Sequence, residues 1–417
     1  MAPHSNTTAL AFALDFRDSV WVAGEIIAGR VDLNVACAQD DGVETLCVNL
    51  KGFIITYAAS ILFPSFHLSE REHSNRKLLN TTRLLWERGS ALPDPSSHIL
   101  ALPFQFRLPT NIPPSFDLSV LHHGATISYT IEVLGIRPGR LGKNREIRRS
   151  FTVLPAASLA QILAKKILEQ GWDGPWRTFF LERKIRQGIW ADYGYVRAEV
   201  KIPDLESFPC ATAMPLWLYV ETRTKTMAMA RTGLSEDKSR KLFPAPPTDP
   251  ADVSLYFHRE AKIRTLRRNS LASDSFRIKG SLGDPTSTSV VCHKQDTEWI
   301  SDRANKDRGI LKRAVSFETT VPLPFTPTFT TETVDCRYSL RFTISFPGVG
   351  NDLKIQLPIH LDPVHICGSP PSWSPEISYA EIPPENLFPL EEPPSYWESN
   401  NVNRNLPVSD QESNESS

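Results

Sequence analysis

Alternation of apolar and polar residues with a period of two runs through this chain and sets the limits on its fold. Ile27, Gly29, Val31, Leu33 and Val35 alternate with Ala28, Arg30, Asp32 and Asn34. Leu46, Val48 and Leu50 do the same, as do Leu102, Phe104, Phe106 and Leu108, and then Ile127, Tyr129, Ile131 and Val133. Successive side chains of a strand point to opposite faces, so each segment reads as a strand with one buried face and one wet face. That is the pattern of antiparallel sheets. Thirty-four prolines against twenty glycines weigh further against long helices.

The alternation stops after Phe151–Pro155 and resumes at Val196, Ala198, Val200 and Ile202. It continues through Leu216, Leu218 and Val220, through Val253, Leu255 and Phe257, and through Tyr338 to Phe346 and Leu353 to Leu361. Two all-β blocks therefore follow one another in 417 residues, a length that suits two or three domains. Many short strands with turn signals between them mean sandwiches or barrels. Between the blocks, Leu159, Ile162, Leu163 and Ile167 have helical spacing. Ser158 and Gln161 form a capping box and Gly171 is a natural stop, so a short helix is expected, packed by that apolar stripe at the domain junction. Lys165 and Lys166 beside the stripe leave a membrane-surface helix as the alternative.

Two stretches stand apart in composition. Residues 259–313 hold 13 Lys and Arg against 7 Asp and Glu, are rich in serine, and read as a long mobile insertion. From Ser369 onward there are 9 acidic residues and one basic residue, Arg404, with prolines clustered up to Pro394. Such a tail buries too little apolar surface to offset its ordering entropy and is expected to be disordered.

Several function classes are excluded at this level. A net charge of -1 argues against a dedicated nucleic-acid binder. No apolar run is long enough for a transmembrane helix, and Met1 to Asp15 lack the pattern of a secretory signal. The six cysteines are scattered without a C-x-x-C pair and read as reduced thiols in a cytosolic protein. The one adjacent histidine pair, His122–His123, sits before Gly124 in an expected loop and lacks the convergent donors of a metal site. No nucleophile elbow, phosphate-binding loop, dinucleotide fingerprint or H-E-x-x-H occurs. The chain is read as a non-enzyme with no cofactor and no metal.

One motif carries a partner. Pro393, Pro394 and Tyr396 form P-P-x-Y in the tail. Adjacent prolines hold the backbone near polyproline II before binding, so little entropy is lost when it docks on the aromatic groove of a WW domain, with Tyr396 in a neighbouring pocket. Two serines, Ser270 and Ser316, have arginine three residues upstream (Arg267 and Arg313), the pattern basophilic kinases prefer. Phosphate at either would alter contacts of a basic segment with acidic lipids or create a site for a 14-3-3 partner.

The ordered motifs of the first block resemble those of the arrestin N-terminal domain. They are Gly24-Glu25-Ile26-Ile27-Ala28-Gly29-Arg30-Val31, Asn49-Leu50-Lys51-Gly52, Phe104-Gln105-Phe106-Arg107-Leu108-Pro109, Ile112-Pro113-Pro114-Ser115-Phe116 and Ile127-Ser128-Tyr129-Thr130-Ile131. The second block is similar to the arrestin C-terminal domain around Asp335–Leu340 and Ile355–Ile359. With P-P-x-Y behind them, the chain resembles an α-arrestin of fungal type. The resemblance implies two immunoglobulin-like β-sandwiches in tandem: residues 8–155, then a junction helix and linker over 156–190, then 191–366 with the insertion at 259–313, and a tail over 367–417. It also implies an adaptor that brings a Nedd4-type HECT ubiquitin ligase to plasma-membrane transporters or receptors, promoting their ubiquitination and endocytosis. On that reading the protein is cytoplasmic and is recruited peripherally to plasma membrane and endosomes. The alternative is an arrestin-fold scaffold for receptor signalling or coat assembly that recruits no ligase. One departure bears on ligase affinity: Pro383-Pro384-Glu385-Asn386 lacks the tyrosine, leaving a single P-P-x-Y.

Overall fold

A computed structural model describes residues 11–17, 19–59, 71–91, 97–120, 122–139, 143–186, 193–229, 243–284, 289–324 and 326–365. Everything described belongs to one unit, Met1–Ser369; the tail from Pro370 forms the other and lies outside the described residues. The architecture is all-β, two sandwiches in tandem.

In the first sandwich a three-stranded sheet runs in the order Phe12–Phe16, Ile26–Asn34, Ile99–Arg107. It faces a six-stranded sheet in which His123–Ile136 pairs with Thr45–Ala59 on one side, and with Arg145–Leu154 and Phe116–Val120 on the other. Arg71–Glu87 extends that sheet beyond Thr45–Ala59, and Val20–Val22 closes its other side by pairing in parallel with Thr152–Leu154. The alternating positions supply the core: Ile27, Val31 and Leu33, then Leu46 and Val48, then Tyr129, Ile131 and Val133 are all sealed at 0% exposure.

The segments that stand out in the sequence meet inside this sandwich. Tyr129 is fully buried, and its hydroxyl donates to the Pro113 carbonyl at 2.7 Å. Burial pushes its phenol pKa far above the ordinary value, so the group stays a neutral donor. Gly52 lies against that ring, where a Cβ would come within 2.9 Å of two ring carbons. Ser115, two residues after Pro113, exchanges hydrogen bonds with Val153: its N–H reaches the Val153 carbonyl at 2.8 Å, and its hydroxyl accepts from the Val153 N–H at 2.9 Å. Each buried polar group here has a partner, which is what makes the turn Ile112–Phe116 specific rather than merely tolerated.

The helix Leu159–Gln170 forms with its capping box complete, Ser158 accepting from the Gln161 N–H and Gln161 accepting from the Ser158 N–H. Gly171 ends it at φ 103°. The face it buries differs from the expected one. Leu168 is buried, whereas Leu159, Leu163 and Ile167 stand 74%, 50% and 42% exposed. The helix packs on Phe208–Pro209 and the strand Ala213–Arg223, with Leu168 buried and Ile162 half-buried.

The second sandwich has a seven-stranded sheet ordered Trp176–Ile185, Gly194–Pro203, Ala213–Arg223, Arg308–Pro322 and Met227–Ala228, with Val291–Lys294 and Glu298–Ser301 also paired to Arg308–Pro322. Its partner sheet runs Asn269–Arg277, Val253–Arg264, Val334–Ile344, Phe329–Thr330, with Leu353–Ile359 also on Val334–Ile344. Phe208–Pro209 pairs in parallel with Leu361–Asp362, and the Ala157 N–H donates to the His365 carbonyl at 2.7 Å.

Two expectations about this half are overturned. The linker expected through residue 190 contains the edge strand Trp176–Ile185, which pairs with Gly194–Pro203 along its whole length. An edge strand buries little, here Ile185 alone, so its alternation is faint in the sequence. The expected mobile insertion at 259–313 is largely sheet: it holds the end of Val253–Arg264, all of Asn269–Arg277, Val291–Lys294 and Glu298–Ser301, and the start of Arg308–Pro322. Its inward positions are few and scattered, Ala261, Ile263, Ala272, Ile278, Leu282 and Leu311, and they are set among the arginines, lysines and serines that dominate its composition. Averaged composition hid a period of two. Among the described residues, no helix is long and apolar enough to cross a membrane.

Candidate functional site: the seam between the sandwiches

The strand Phe116–Val120 of the first sandwich and the sheet Asn269–Arg277, Val253–Arg264, Val334–Ile344 of the second meet in a seam of mixed chemistry. Phe116 is buried and packs edge-on against Phe329 with ring centroids 5.0 Å apart. The Arg259 guanidinium lies 5.4 Å from the centre of the Phe116 ring. Its Nε and Nη2 engage both oxygens of Asp274 at 3.0 and 2.7 Å, and its Nη1 crosses to the Asp117 carbonyl at 3.1 Å. Antiparallel register sets this up, since Arg259 and Asp274 are direct cross-strand partners.

Burial disfavours the Arg259 charge, but the paired Asp274 carboxylate outweighs it and holds the guanidinium pKa above its ordinary value. Asp117 is placed differently. Burial pushes its carboxyl pKa up, against the opposing pull of the Thr126 hydroxyl, which donates at 2.7 Å, and of the Arg259 charge. Around this centre, the Thr56 hydroxyl donates to the Arg264 carbonyl at 3.3 Å and Arg76 pairs with Glu332. These contacts tie the two sandwiches to one another.

Those surfaces have their own features. Across the outer face of the first sandwich, Thr82 donates to Asn49, Asn49 to Glu132, and Lys51 and Arg148 both pair with Glu132. Burial works against the Glu132 charge, yet these donors outweigh it and hold its pKa down at about 2. On the outer face of the second, Trp176, Trp217, Pro215, Lys201, Val291 and Glu318 line a concavity of about 560 Å³, with the Lys201 ammonium 4.4 Å over the Trp217 ring.

The residues singled out in the sequence fall as follows. Pro393, Pro394 and Tyr396 lie outside the described residues. Ser270 and Ser316 are both on strands. Ser316 is 7% exposed, between Tyr219 and His293 in the sheet. The Ser270 hydroxyl is enclosed with no hydrogen-bond partner among the described residues. A kinase reaches either only after the strand leaves its sheet. The five described cysteines are free thiols, and no group of three or more His, Cys, Asp or Glu among the described residues is placed to hold a metal ion. Arg259, Asp274 and Asp117 escape a sequence reading because each reads alone as an ordinary surface ion. The signal that was available is the spacing of Arg259 and Asp274 about the turn at Thr265–Arg268.

Residues 10–160 match the family model of the arrestin (or S-antigen) N-terminal domain. The match supports membership of the arrestin family and an arrestin-type adaptor or scaffold. The matched region contains the Gly52–Tyr129–Pro113 packing, the Ser115–Val153 exchange and the Phe116–Asp117 side of the seam. No curated protein matches the chain.

Proposed function

We propose that the protein is an α-arrestin, a trafficking adaptor that links a WW-domain ubiquitin ligase of the Nedd4-type HECT class to membrane transporters or receptors. The observation that carries this reading is the coincidence of an arrestin-type N-terminal domain with Pro393-Pro394-Ser395-Tyr396 in a proline-rich acidic tail. The tail supplies the ligase, the sandwiches take the cargo, and ubiquitination of the cargo leads to its endocytosis. The protein then works in the cytoplasm and at the surface of plasma membrane and endosomes. A 14-3-3 protein would join it where Ser270 or Ser316 is phosphorylated in a locally opened form.

The test is a titration of a peptide spanning residues 385–402 against isolated WW domains, alongside its Tyr396→Ala form. Removing the ring costs about 1.5–3 kcal/mol by transfer estimates, tenfold or more in affinity. Pro393→Ala and Pro394→Ala should weaken binding as well, through lost contact area and a less ordered free peptide. Equal affinity for the wild-type and Tyr396→Ala peptides would remove the ligase from the reading and leave an arrestin-fold scaffold.

A further inference from the structure

Among the described residues the second sandwich is open along one side. Trp176–Ile185 is the last strand of its sheet and pairs there only with Gly194–Pro203. Leu353–Ile359 ends the opposite sheet, paired among the described residues only with Val334–Ile344. The two run past each other without a ladder between them. At one end they are pinned: Asn351 donates to the Arg186 carbonyl at 2.8 Å and accepts from its N–H at 3.3 Å, and Arg183 donates to the Asp352 carbonyl at 3.2 Å. Beyond that clamp a groove of about 420 Å³ opens between Thr178–Leu181 and Lys354–Leu357.

The floor of the groove is apolar. Phe179 and Leu181 are half-buried on the core, and Ile355 and Leu357 are 8% and 1% exposed. The rim is an edge strand of ten residues with no proline, in which every second residue turns its N–H and C=O away from the sheet. Natural edges of this length are usually shortened, bulged or covered, because they template pairing with another chain. The charge here is one-sided. Arg177 is matched by Asp204 at 2.7 Å; of the other charges on the two strands, Arg183, Lys184 and Lys354 are cationic and Glu182 is the one carboxylate.

We propose that this edge is a strand-addition site for an extended, acidic peptide segment of a partner protein. The peptide pairs its backbone with Trp176–Ile185, lays alternate apolar side chains on Phe179, Leu181 and Ile355, and sets its carboxylates against Lys354 and Lys184. Main-chain bonds supply affinity and the floor with its cationic rim supplies selection. A second copy of the chain is a poor occupant. In the fully overlapped antiparallel pairing of two such edges, Arg177 falls opposite Lys184, and like charges directly opposite are destabilising. The site is independent of the tail motif.

The test uses the full chain and a fluorescent eight-residue peptide of alternating valine and glutamate, with a valine–lysine peptide as its counterpart. Binding is read by anisotropy, and its location by hydrogen–deuterium exchange. The expected result is that the acidic peptide binds, slows exchange in Trp176–Leu181, and binds about tenfold or more weakly to Lys184→Glu/Lys354→Glu protein. Both substitutions are at exposed positions, so the variant should fold. Tyr396→Ala protein should bind as tightly as wild type, which separates this site from the ligase reading. No binding by the acidic peptide, equal binding by the lysine peptide, unchanged exchange of the strand under saturating peptide, or undiminished affinity of the charge-reversed protein would each overturn the proposal.

Discussion

Arg259 in the second sandwich donates to the backbone carbonyl of Asp117 in the first while its other nitrogens hold Asp274. One side chain thus joins a cross-strand ion pair to the seam. Replacing it with leucine should cost about 2–4 kcal/mol, because Asp274 is left half-buried without its cation. Denaturant unfolding of Arg259→Leu, Asp274→Ala and the double variant checks this. The double variant should lose clearly less than the two single losses combined.

Asp117 makes an opposite prediction. Its folded pKa is raised, so its contribution is most favourable below the unfolded value of 3.8 and declines as pH rises through the folded pKa. Asp117→Asn removes that titration and keeps an oxygen for Thr126. The variant should therefore gain on wild type as pH rises from about 3 to 7. Thermal melts across that range would show it, and a variant that loses ground on wild type as pH rises would contradict the reading.

Glu132 carries the reverse sign. Its folded pKa is lowered from 4.5 to about 2, so its stabilisation is present above 4.5 and is lost as pH falls toward 2. Glu132→Gln should cost about 1–3 kcal/mol at pH 7, since Lys51 and Arg148 lose their shared anion. Its acid unfolding curve should be flatter than that of wild type between pH 4.5 and 2.

Gly52 has no room for a side chain against Tyr129. Gly52→Ala should destabilise the first sandwich by about 1–3 kcal/mol through overpacking. Gly42→Ala is a control of another kind: a Cβ there would meet no atom within 4 Å, and the φ of +70° makes the cost one of backbone strain alone. Comparing the near-ultraviolet circular dichroism of the two separates them, because only the first displaces a buried tyrosine.

Sequence was legible where one face of a strand is buried and the other is wet. Ile127, Tyr129, Ile131 and Val133 are core because they alternate, and Ser158 and Gln161 cap a helix because they are three apart. Legibility failed where burial is slight or is delivered by small residues. Trp176–Ile185 buries only Ile185, and Ala261, Ala272 and Ala314 carry too little hydrophobicity to stand out among arginines and serines. The helix stripe misled for a different reason: spacing shows which residues share a face, and the neighbouring surface decides whether that face is covered. The seam was invisible because its charges are paired between strands and across two halves of the chain, a relation no single window contains.

The parallel pairing of Val20–Val22 with Thr152–Leu154, and the bond from Ala157 to His365, set a timetable for synthesis. The first sandwich closes only when residue 154 has emerged, and the junction is tied down only with residue 365. At translation rates of about 5–20 residues per second, roughly 10–40 s separate the two events. Throughout the early part of that interval Phe116 is uncovered, since Arg259 and Phe329 do not yet exist outside the ribosome. A nascent chain that ends between residues 154 and 259 therefore has a closed first sandwich whose Phe116 lacks both the ring and the cation it packs on in the finished protein.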